Sequence, residues 1–367
     1  NCPWIPYWNS SPYGGHDPNG NDVGDRHHWF DCTMHEDMEK RISPEEYDKV
    51  SSKFVSEYGY VGPCSRRTIE RYHGDTPVEP GSEVWKWHNN TFERDTVVAG
   101  IRRHYIAPEN LDLDGYLYFG GLVQSLMLGY SLEAIRSKLD CSGAMFWMYN
   151  DCWGEVGWSI IDYYLDRKPA YYAVKRAFSP RRIIVRVESG MIAVIVCNDT
   201  DRDLDLQVHA GFTSFDGNRR EMSSLTLSTT AFNRNKTLVP MDLSRVTGAE
   251  ASGLFVVVPF GEMASMVEPA YLRPGISREL QLPEPEIKVD PVDSIPDGYV
   301  VQVSTTTYAH AVHVVLPPGA LPSDDYFDLL PAEKRLISVR GANLQAARSV
   351  KAFAVNAQLQ RYGSAHN

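Results

Sequence analysis

Residues 53–60 have the sequence KFVSEYGY, and this stretch decides how the front of the chain folds. An apolar, β-prone run delivers one carboxylate, Glu57, to its end, and Gly59 follows two residues later. Where strands alternate with helices, the loops at the carboxyl ends of the strands build the site. The flanking tyrosines can hold the carboxylate by hydrogen bonds. These eight residues alone favour a solvated glutamate at a strand end, but the rest of the chain favours a catalytic one.

The bulk properties limit the class of protein. With 367 residues the chain is too long for one ordinary hydrophobic core, so two or three domains are expected. The composition, 43% hydrophobic and 23% charged, is that of a globular protein. The net charge of -11 argues against a nucleic-acid partner, whose phosphates would repel it. The sequence has no uninterrupted apolar run near the roughly 20 residues of a membrane span, so no membrane partner is expected.

The cysteines and histidines predict neither a metal site nor a disulfide framework. The six cysteines lack CxxC spacing and are too sparse for such a framework, so most should be buried free thiols. The histidines lack an HExxH-like spacing. We therefore expect no metal and no cofactor.

Aromatic and imidazole side chains are concentrated at the front of the chain. All eight tryptophans fall within the first 158 residues, and seven of the eleven histidines fall within the first 104. Such groups are suited to holding a ligand. The front is therefore expected to carry the site, and the remainder to be mostly packing.

The front alternates short apolar runs with helical patterns. Ser43 and Pro44 predict a helix start, with serine as N-cap and proline at the first helical position. Strands are predicted at 5–8, 54–57 and 143–149, the last of them buried; helices are predicted at 65–72, 92–105 and 114–139. This alternation predicts parallel strands covered by helices.

The pattern changes near Pro180. Alternating β-rich runs predict an antiparallel sandwich, and a second set after the Pro- and acid-rich connector 282–286 predicts a smaller one. The runs of the first set are 182–187, 191–196, 204–208, 224–227 and 254–258, and those of the second are 300–303, 311–316 and 335–339.

Three segments of the front resemble glycoside hydrolase family 2, and most closely its β-mannosidases. They are GAMFWMYNDCW at 143–153, WSIIDYY at 158–164 and KPAYYAVKRAF at 168–178. Further matches, in the expected order, are PYWNSSP at 6–12, GDRHHW at 24–29 and SDDYFDLL at 323–330. The resemblance therefore covers essentially the whole chain.

The resemblance implies three domains. Residues 1–180 would be the second half of a TIM (β/α)8 barrel, strands 5–8. Residues 181–274 would be an Ig-like β-sandwich, and residues 275–367 a smaller C-terminal Ig-like sandwich. Family members carry two sandwich-type domains and the first half of the barrel ahead of these segments, so the chain is expected to be a fragment.

The resemblance also implies the chemistry. Glu57 matches the nucleophile of a retaining exo-β-glycosidase, which removes terminal β-linked mannose through a covalent glycosyl-enzyme. The general acid/base of the family lies in an Asn-Glu pair at the end of the fourth barrel strand, and no Asn-Glu pair precedes Glu57. The upstream acids lie in a charged stretch and are poor substitutes: Glu36, Asp37, Glu39, Glu45 and Glu46. We therefore expect the fragment alone to be inactive.

Six further residues are candidates for substrate binding. Trp147 would form a platform under a pyranose ring, and His27 and Trp29 would bind sugar hydroxyls. The remaining candidates are Asp25, which either binds hydroxyls or fixes its own loop, and Trp87 and His88, which would line the pocket. His28 stands where many relatives have tyrosine. For each aromatic residue the alternative is core packing.

Other functions remain open on the sequence. The same scaffold carries β-glucosidase, β-galactosidase and exo-glucosaminidase activities, and a non-catalytic carbohydrate-binding remnant is a further alternative. In every catalytic case the partner is an oligosaccharide or glycoside, and two carboxyl groups do the chemistry without an ion.

Overall fold

The computed structural model describes residues 2–89, 94–317, 319–342, 347 and 349–363. The chain divides into two compact units. Unit one comprises Asn1–Arg102 and Asp112–Phe178, and unit two comprises Arg103–Leu111 and Ser179–Asn367. Unit one mixes helices with short parallel strands, whereas unit two is built mainly from antiparallel sheets.

The helices begin at the residues that their capping signals indicate. Ser65 accepts a hydrogen bond from the Thr68 amide at the start of α2, and Asp112 accepts one from the Gly115 amide at the start of α5. The helices are α1 Met38–Arg41, α2 Arg66–His73, α3 Glu83–Trp87, α4 Arg94–His104, α5 Leu113–Arg136 and α6 Pro169–Ala177. The predicted helices at 65–72 and 114–139 are confirmed; for 92–105 the described part, from Arg94, is helical.

The strands of unit one are parallel, as predicted. β1 (Arg26–His27) pairs with β2 (Val55–Glu57), and β2 is flanked on its other side by residues 144–147 through parallel bridges at Val55–Ala144 and Gly59–Trp147. Glu57 is the last residue of β2 and therefore lies at the carboxyl end of a strand that has a parallel neighbour on each side.

Three expectations for unit one were wrong or incomplete. Residues 5–8 form no strand, and Trp4, Ile5, Tyr7 and Trp8 are all exposed. Residues 143–149 make single bridges rather than a buried strand, with Trp147 46% exposed. Residues Pro44–Lys49 are helical with Ser43 at the N-cap position, as expected. The helix is of the 3-10 type, however, and the Ser43 side chain makes no capping hydrogen bond. Apolar sequence alone does not decide burial, because burial depends on which element covers the run.

Unit two contains two pairs of sheets, each pair enclosing an apolar core. The first pair has strand orders β3-β4-β7 and β6-β5-β8-β9, and its core includes Val194, Val208 and Phe255. The second pair has orders β10-β11-β15-β13 and β14-β12-β16, with Val301, Phe327 and Ile337 in its core. Every predicted β-run after Pro180 lies within a strand or overlaps one.

Most strands of unit two are longer than those of unit one, although β9, β13, β14 and β16 have only two or three residues. The strands of unit two are β3 Arg181–Glu188, β4 Met191–Asn198, β5 Leu204–Ser214, β6 Arg220–Thr229, β7 Asn233–Val239, β8 Gly253–Phe260, β9 Ala270–Tyr271, β10 Lys288–Ile295, β11 Gly298–Ser304, β12 Ala309–Val315, β13 Leu321–Pro322, β14 Phe327–Leu329, β15 Lys334–Arg340 and β16 Lys351–Phe353. Helix α7, Val355–Gly363, follows β16. Strands β7 and β10 carry many polar residues and gave no apolar signal in the sequence.

The cysteines are free thiols, and four of the six are buried, which confirms the expectation for most of them. Within the described ranges, no helix is long and apolar enough to cross a bilayer. The same residues include no group of three or more metal-ligating side chains.

Candidate functional site

Glu57 is held by a tryptophan rather than by a tyrosine. The indole Nε1–H of Trp29 donates a hydrogen bond to Oε1 of Glu57 at 2.7 Å. His27 lies on the other oxygen, with Nε2 3.9 Å from Oε2. The carboxylate is therefore oriented by the Trp29 indole and lies beside the His27 imidazole. Its side chain is 35% exposed to solvent, so a ligand can reach it.

Tyr58 does not orient Glu57, contrary to expectation. Its ring is fully buried against Tyr47, and its hydroxyl accepts a hydrogen bond from Ser131 of α5 at 3.1 Å. Burial raises the pKa of Tyr58 well above its usual value of 10.0. Successive residues of a strand point to opposite faces, so Tyr58 packs on the helices while Glu57 faces the open side.

Two predicted residues, Asp25 and His27, form one network with Ser11 beside Glu57. Ser11 donates to Oδ2 of Asp25 at 2.6 Å, and its Oγ lies 3.2 Å from Nε2 of His27. Burial works to raise the pKa of Asp25, but hydrogen bonds from Ser11, Ser56 and the Tyr13 amide outweigh it and hold the pKa below 3.8. Asp25 is thus an anion that orients Ser11, whose hydroxyl in turn contacts His27.

Ser11 is the connecting residue that the sequence analysis did not single out. Its signal was present in the Ser-Ser-Pro motif at 10–12, but nothing in that motif shows which side chains it meets. Asn19 is a second omission: its side chain donates to the carbonyl of His27 at 3.1 Å and accepts from the amide of His27 at 2.9 Å. These two bonds fix the backbone of His27.

A close approach of backbone holds Trp147 near the nucleophile strand. The Trp147 amide donates to the Tyr58 carbonyl at 2.6 Å, and an added Cβ at Gly59 would lie 2.1 Å from the Trp147 carbonyl oxygen. Only glycine fits there. The Trp29 ring packs edge-on against Trp158 with ring centroids 5.0 Å apart. This contact holds in place the indole that donates to Glu57.

An open cleft of about 720 Å³ lies beside the Asp25 network. Its lining includes Ser11, Asp25, Ser56 and Trp8, but not Glu57, Trp29 or Trp147. The cleft therefore adjoins the carboxylate rather than containing it. The candidate site is the set of hydrogen bonds around Glu57, because the chemistry requires the carboxylate.

Of the predicted pair Trp87 and His88, only His88 belongs to an aromatic cluster, which is formed with Tyr72 and Trp153. The His88 ring lies between Tyr72 and Trp153, with centroid distances of 4.0 and 4.4 Å, and its Nδ1 contacts the carbonyl of Gly154. Trp87 is 76% exposed. His28, by contrast, is buried; its Nε2 lies 2.7 Å from the Ser52 hydroxyl and its Nδ1 3.1 Å from Asp31.

A buried polar layer lies behind the site. The Lys168 ammonium donates to the carbonyls of Gly62 and Gly157, and the Gln124 amide donates to those of Tyr60 and Ser159. Both side chains are at most 2% exposed. Together they tie the segment that follows Glu57 to the segment that carries Trp158.

One carboxyl group in this layer is under-satisfied. Asp151 accepts from the Ser159 hydroxyl at 2.5 Å through Oδ2, whereas its buried Oδ1 has no partner among the described atoms. Burial raises the pKa of Asp151, although the Lys168 charge opposes the shift. The bond to Ser159 ties the loop that carries Asp151 to the segment that follows Trp158.

Known proteins resemble the chain in both sequence and structure. It is 34% identical over 192 residues to "Beta-mannosidase B" of Aspergillus niger, an alignment that covers 50% of this chain and 22% of the relative. The match to "Beta-mannosidase B" of Aspergillus oryzae is 33% over 196 residues, with 51% and 22% covered. No family model matches the chain.

The crystal structure of a β-D-mannosidase from Dictyoglomus thermophilum superposes with a TM-score of 0.84 at 27% identity, covering 95% of this chain and 42% of that one. The exo-chitosanase of Amycolatopsis orientalis superposes with a TM-score of 0.59 at 17% identity, covering 84% of this chain and 43% of the other, which shows the fold alone. This chain spans less than half the length of the relatives that it matches.

The fold and these matches define the class of protein: the chain is homologous to β-mannosidase glycoside hydrolases. This similarity to β-mannosidases confirms the resemblance of its motifs to the β-mannosidase-like branch of glycoside hydrolase family 2.

Proposed function

We propose that this chain carries the nucleophile of a retaining exo-β-mannosidase, and that Glu57 is that nucleophile. The observation that carries the proposal is the placement of Glu57 at the carboxyl end of a parallel strand, with Trp29 donating to one oxygen and His27 beside the other. The homology to β-mannosidases supports it, since it implies a carbohydrate substrate.

The geometry suits nucleophilic attack on a sugar. A retaining glycosidase forms a glycosyl ester on one carboxylate, while a second carboxyl group protonates the leaving oxygen. With Oε1 of Glu57 held by the Trp29 indole, Oε2 faces His27 and is the oxygen that attacks the anomeric carbon. The resemblance assigns the second carboxyl group to the fourth barrel strand, and this assignment is part of the proposal.

The anionic Asp25 and the Ser11 hydroxyl supply hydrogen-bonding groups next to the nucleophile. We propose that they and His27 bind sugar hydroxyls. The proposed platform, Trp147, is 46% exposed and pairs by its backbone with Gly59, two residues beyond Glu57. An exposed tryptophan on the open side of a sheet provides an apolar face for a pyranose ring.

The proposal includes the domain assignment. The parallel segments β1, β2 and 144–147 would belong to the second half of a TIM barrel at residues 1–180. The two sheet pairs of unit two would form the sandwiches at 181–274 and 275–367.

The test is covalent labelling with 2-deoxy-2-fluoro-β-mannosyl fluoride, followed by peptide mass spectrometry. A Glu57 oxygen bonds to C1 while the C1–F bond breaks and fluoride departs, so no proton donor is needed. We expect a 2-fluoromannosyl ester on the peptide that contains Glu57. A folded chain that remains unlabelled, or is labelled elsewhere, would contradict the proposal.

Specificity needs a separate comparison. The rates of labelling by the matching 2-fluoro-mannosyl, glucosyl and galactosyl fluorides should be highest for the mannosyl compound. A faster reaction with either of the others would leave the nucleophile in place but reassign the sugar.

A further inference from the structure

The side chains that hold the Glu57 carboxylate come from one short segment, residues 27–29. Trp29 donates to one carboxylate oxygen, and His27 lies beside the other. Between these two residues, the amide of His28 donates to the Glu57 carbonyl at 2.8 Å. The middle residue of the segment is thus fixed to the backbone of the candidate nucleophile.

The His28 side chain points away from the carboxylate. Its two neighbours reach Glu57 on the open side of the strands, whereas the His28 ring is only 2% exposed, as expected for alternating side chains. Its Nε2 lies 2.7 Å from Oγ of Ser52, and its Nδ1 lies 3.1 Å from Oδ2 of Asp31. The contact of Nδ1 is close but is not aligned as a hydrogen bond.

These contacts close into a cycle of five side chains, the polar cycle. Arg26 donates through Nη2 to Oδ2 of Asp31 at 2.7 Å and through Nη1 to Oδ1 of Asn21 at 2.8 Å. Ser52 donates to the same oxygen of Asn21 at 3.0 Å. The polar cycle therefore runs through His28, Asp31, Arg26, Asn21 and Ser52 and returns to His28.

The donors of the polar cycle fix the role of each member. A serine hydroxyl has one proton, and Ser52 donates it to Asn21, so the Ser52 oxygen accepts from the Nε2–H of His28. Contact with His28, followed by the charge of Arg26, holds the pKa of Asp31 below its usual value of 3.8, although burial opposes the shift. Asp31 is thus an anion in contact with both side chains.

The polar cycle lies on both sides of Trp29 in the chain. His28 directly precedes Trp29, and Asp31 follows it by two positions. Ser52, at the far side of the cycle, lies three residues before the start of β2, the strand that ends in Glu57. The cycle therefore joins the segment that carries the Trp29 indole to the segment that carries its acceptor.

His28 is the residue at which this chain departs from the motif of its relatives, many of which have tyrosine there. A phenol has a single hydroxyl, whereas an imidazole has two nitrogens on different edges of its ring. The imidazole can therefore contact Ser52 and Asp31 together, and a tyrosine hydroxyl cannot close the cycle in this way.

We propose that His28 is a positioning residue for the candidate nucleophile: by joining Asp31 to Ser52 it closes the polar cycle that holds the Trp29 indole on Glu57. This inference rests on the proposed function of Glu57. His28 is buried, so it acts through Trp29 rather than on the sugar. Opening the cycle leaves the nucleophile in the chain but lets its carboxylate turn.

The test measures labelling of Glu57 in the full chain over a range of concentrations of 2-deoxy-2-fluoro-β-mannosyl fluoride. This separates the maximal labelling rate from the half-saturating concentration of the reagent. The variants are His28→Gln, Asp31→Asn, the two combined, and the conservative Asp31→Glu. His16→Gln and Asp75→Asn, at exposed positions of the same unit, are the matched controls. Urea unfolding of each variant measures its stability.

A second measurement does not depend on catalysis. The indole N–H of Trp29 is followed by proton–nitrogen NMR, and its signal is assigned by its loss in Trp29→Phe. Asp31→Asn should move this signal and speed its exchange with deuterium, because the hydrogen bond to Glu57 loosens. The two control variants should leave the signal unchanged.

We expect His28→Gln and Asp31→Asn each to lower the maximal labelling rate by about 10- to 100-fold, the effect of a slightly misplaced catalytic group. The half-saturating concentration should change by less than about twofold. The combined variant should be about as slow as the slower single one, since both open the same cycle. Asp31→Glu keeps the carboxylate and should retain most of the rate. Asp31 is 43% exposed, so its variants test the proposal even if His28→Gln does not fold.

The two proposals fail in different ways. If the wild type is labelled at Glu57 and Asp31→Asn shows a normal maximal rate, the positioning role is refuted and the proposed function stands. A loss of stability alone, a rise in the half-saturating concentration alone, or a slower rate with an unmoved Trp29 signal would refute it as well. If the wild type is not labelled, the proposed function fails, and the Trp29 signal still decides whether the polar cycle holds the indole on Glu57.

Discussion

In unit two, β5 pairs with β6 from Leu204 to Thr213 and with β8 from Gln207 to Ser214, whereas in unit one the strand that carries Glu57 has three residues. The long strands bury alternate side chains and specify their own register. The short strand is held by its pairing with β1, by single bridges to residues 144–147 and by the hydrogen bond from Trp29. Long runs of strand-to-strand hydrogen bonds stabilise unit two. Unit one has few such bonds, and its short strands leave functional side chains exposed.

The units also differ in how they treat a buried carboxyl group. In unit two, burial alone would raise the pKa of Asp328, but His310 and hydrogen bonds from Tyr271 and Tyr308 lower it far below 3.8. In unit one, Asp151 has one unpartnered oxygen among the described atoms and a raised pKa. Perturbed, under-satisfied groups are typical of functional regions.

The largest effect is expected from Glu57→Gln. The amide oxygen of glutamine still accepts from Trp29, so the stability should be unchanged, but the nucleophile is lost. Labelling and any turnover in an assembled enzyme should fall on the order of 10⁴-fold. Glu286→Gln, at an exposed carboxylate of unit two, is the control and should retain full activity. Activity in the Glu57 variant would assign the nucleophile to another residue.

Removing one aromatic ring from each unit tests the contrast directly. Phe255 is 1% exposed in the first core of unit two, and Phe255→Ala should lower the free energy of unfolding by about 3–5 kcal/mol. Trp147→Ala, at a half-exposed position, should cost less than about 1 kcal/mol.

Urea unfolding followed by hydrogen-exchange mass spectrometry resolves the two units. The same Trp147→Ala variant should bind methyl β-mannoside more weakly, by about tenfold for one lost stacking contact. A large loss of stability with normal binding would make Trp147 a packing residue.

Lys168→Met should destabilise unit one by about 2–4 kcal/mol, because the carbonyls of Gly62 and Gly157 and the Asp151 carboxylate lose a buried positive partner. The Glu57 labelling rate should fall as well. Displacement of the segment that carries Trp158 would shift Trp29, which packs against Trp158 and donates to Glu57. Lys175→Met, an exposed change on the same helix, should affect neither quantity. Normal labelling in a destabilised Lys168 variant would show that the hydrogen bonds of Lys168 to Gly62 and Gly157 serve stability only.

The smallest effect concerns pH and unit two. The pKa of Asp328 is lowered on folding, so its contribution to stability is present above pH 3.8 and is lost as the pH falls toward its folded-state value. Asp328→Asn should cost about 1–3 kcal/mol at pH 7 and flatten the decline in acid. Urea unfolding at pH 7 and pH 3.5 measures both. An unchanged acid decline in the variant would assign it to other carboxylates.

Much of unit two followed from the sequence because alternation is a local property. The run 204–208 shows its period of two without reference to any partner strand, and it lies within β5. Sequence alone predicted too much burial for residues 143–149. The apolar run predicted a buried strand, but Met145, Trp147 and Tyr149 are all exposed. Burial of an apolar run depends on what covers it.

The site was predictable in its residue types and motifs but not in its contacts. The sequence by itself determined that a carboxylate ends a strand of a parallel arrangement and that the motifs are of the β-mannosidase type. Only the tertiary structure decided that Trp29 rather than Tyr58 orients Glu57, that Ser11 joins Asp25 to His27, and that His88 stacks under Trp153. The physical reason is separation along the chain: strand periodicity is set by adjacent residues, whereas these contacts join side chains 14 to 65 positions apart, and packing alone brings them together.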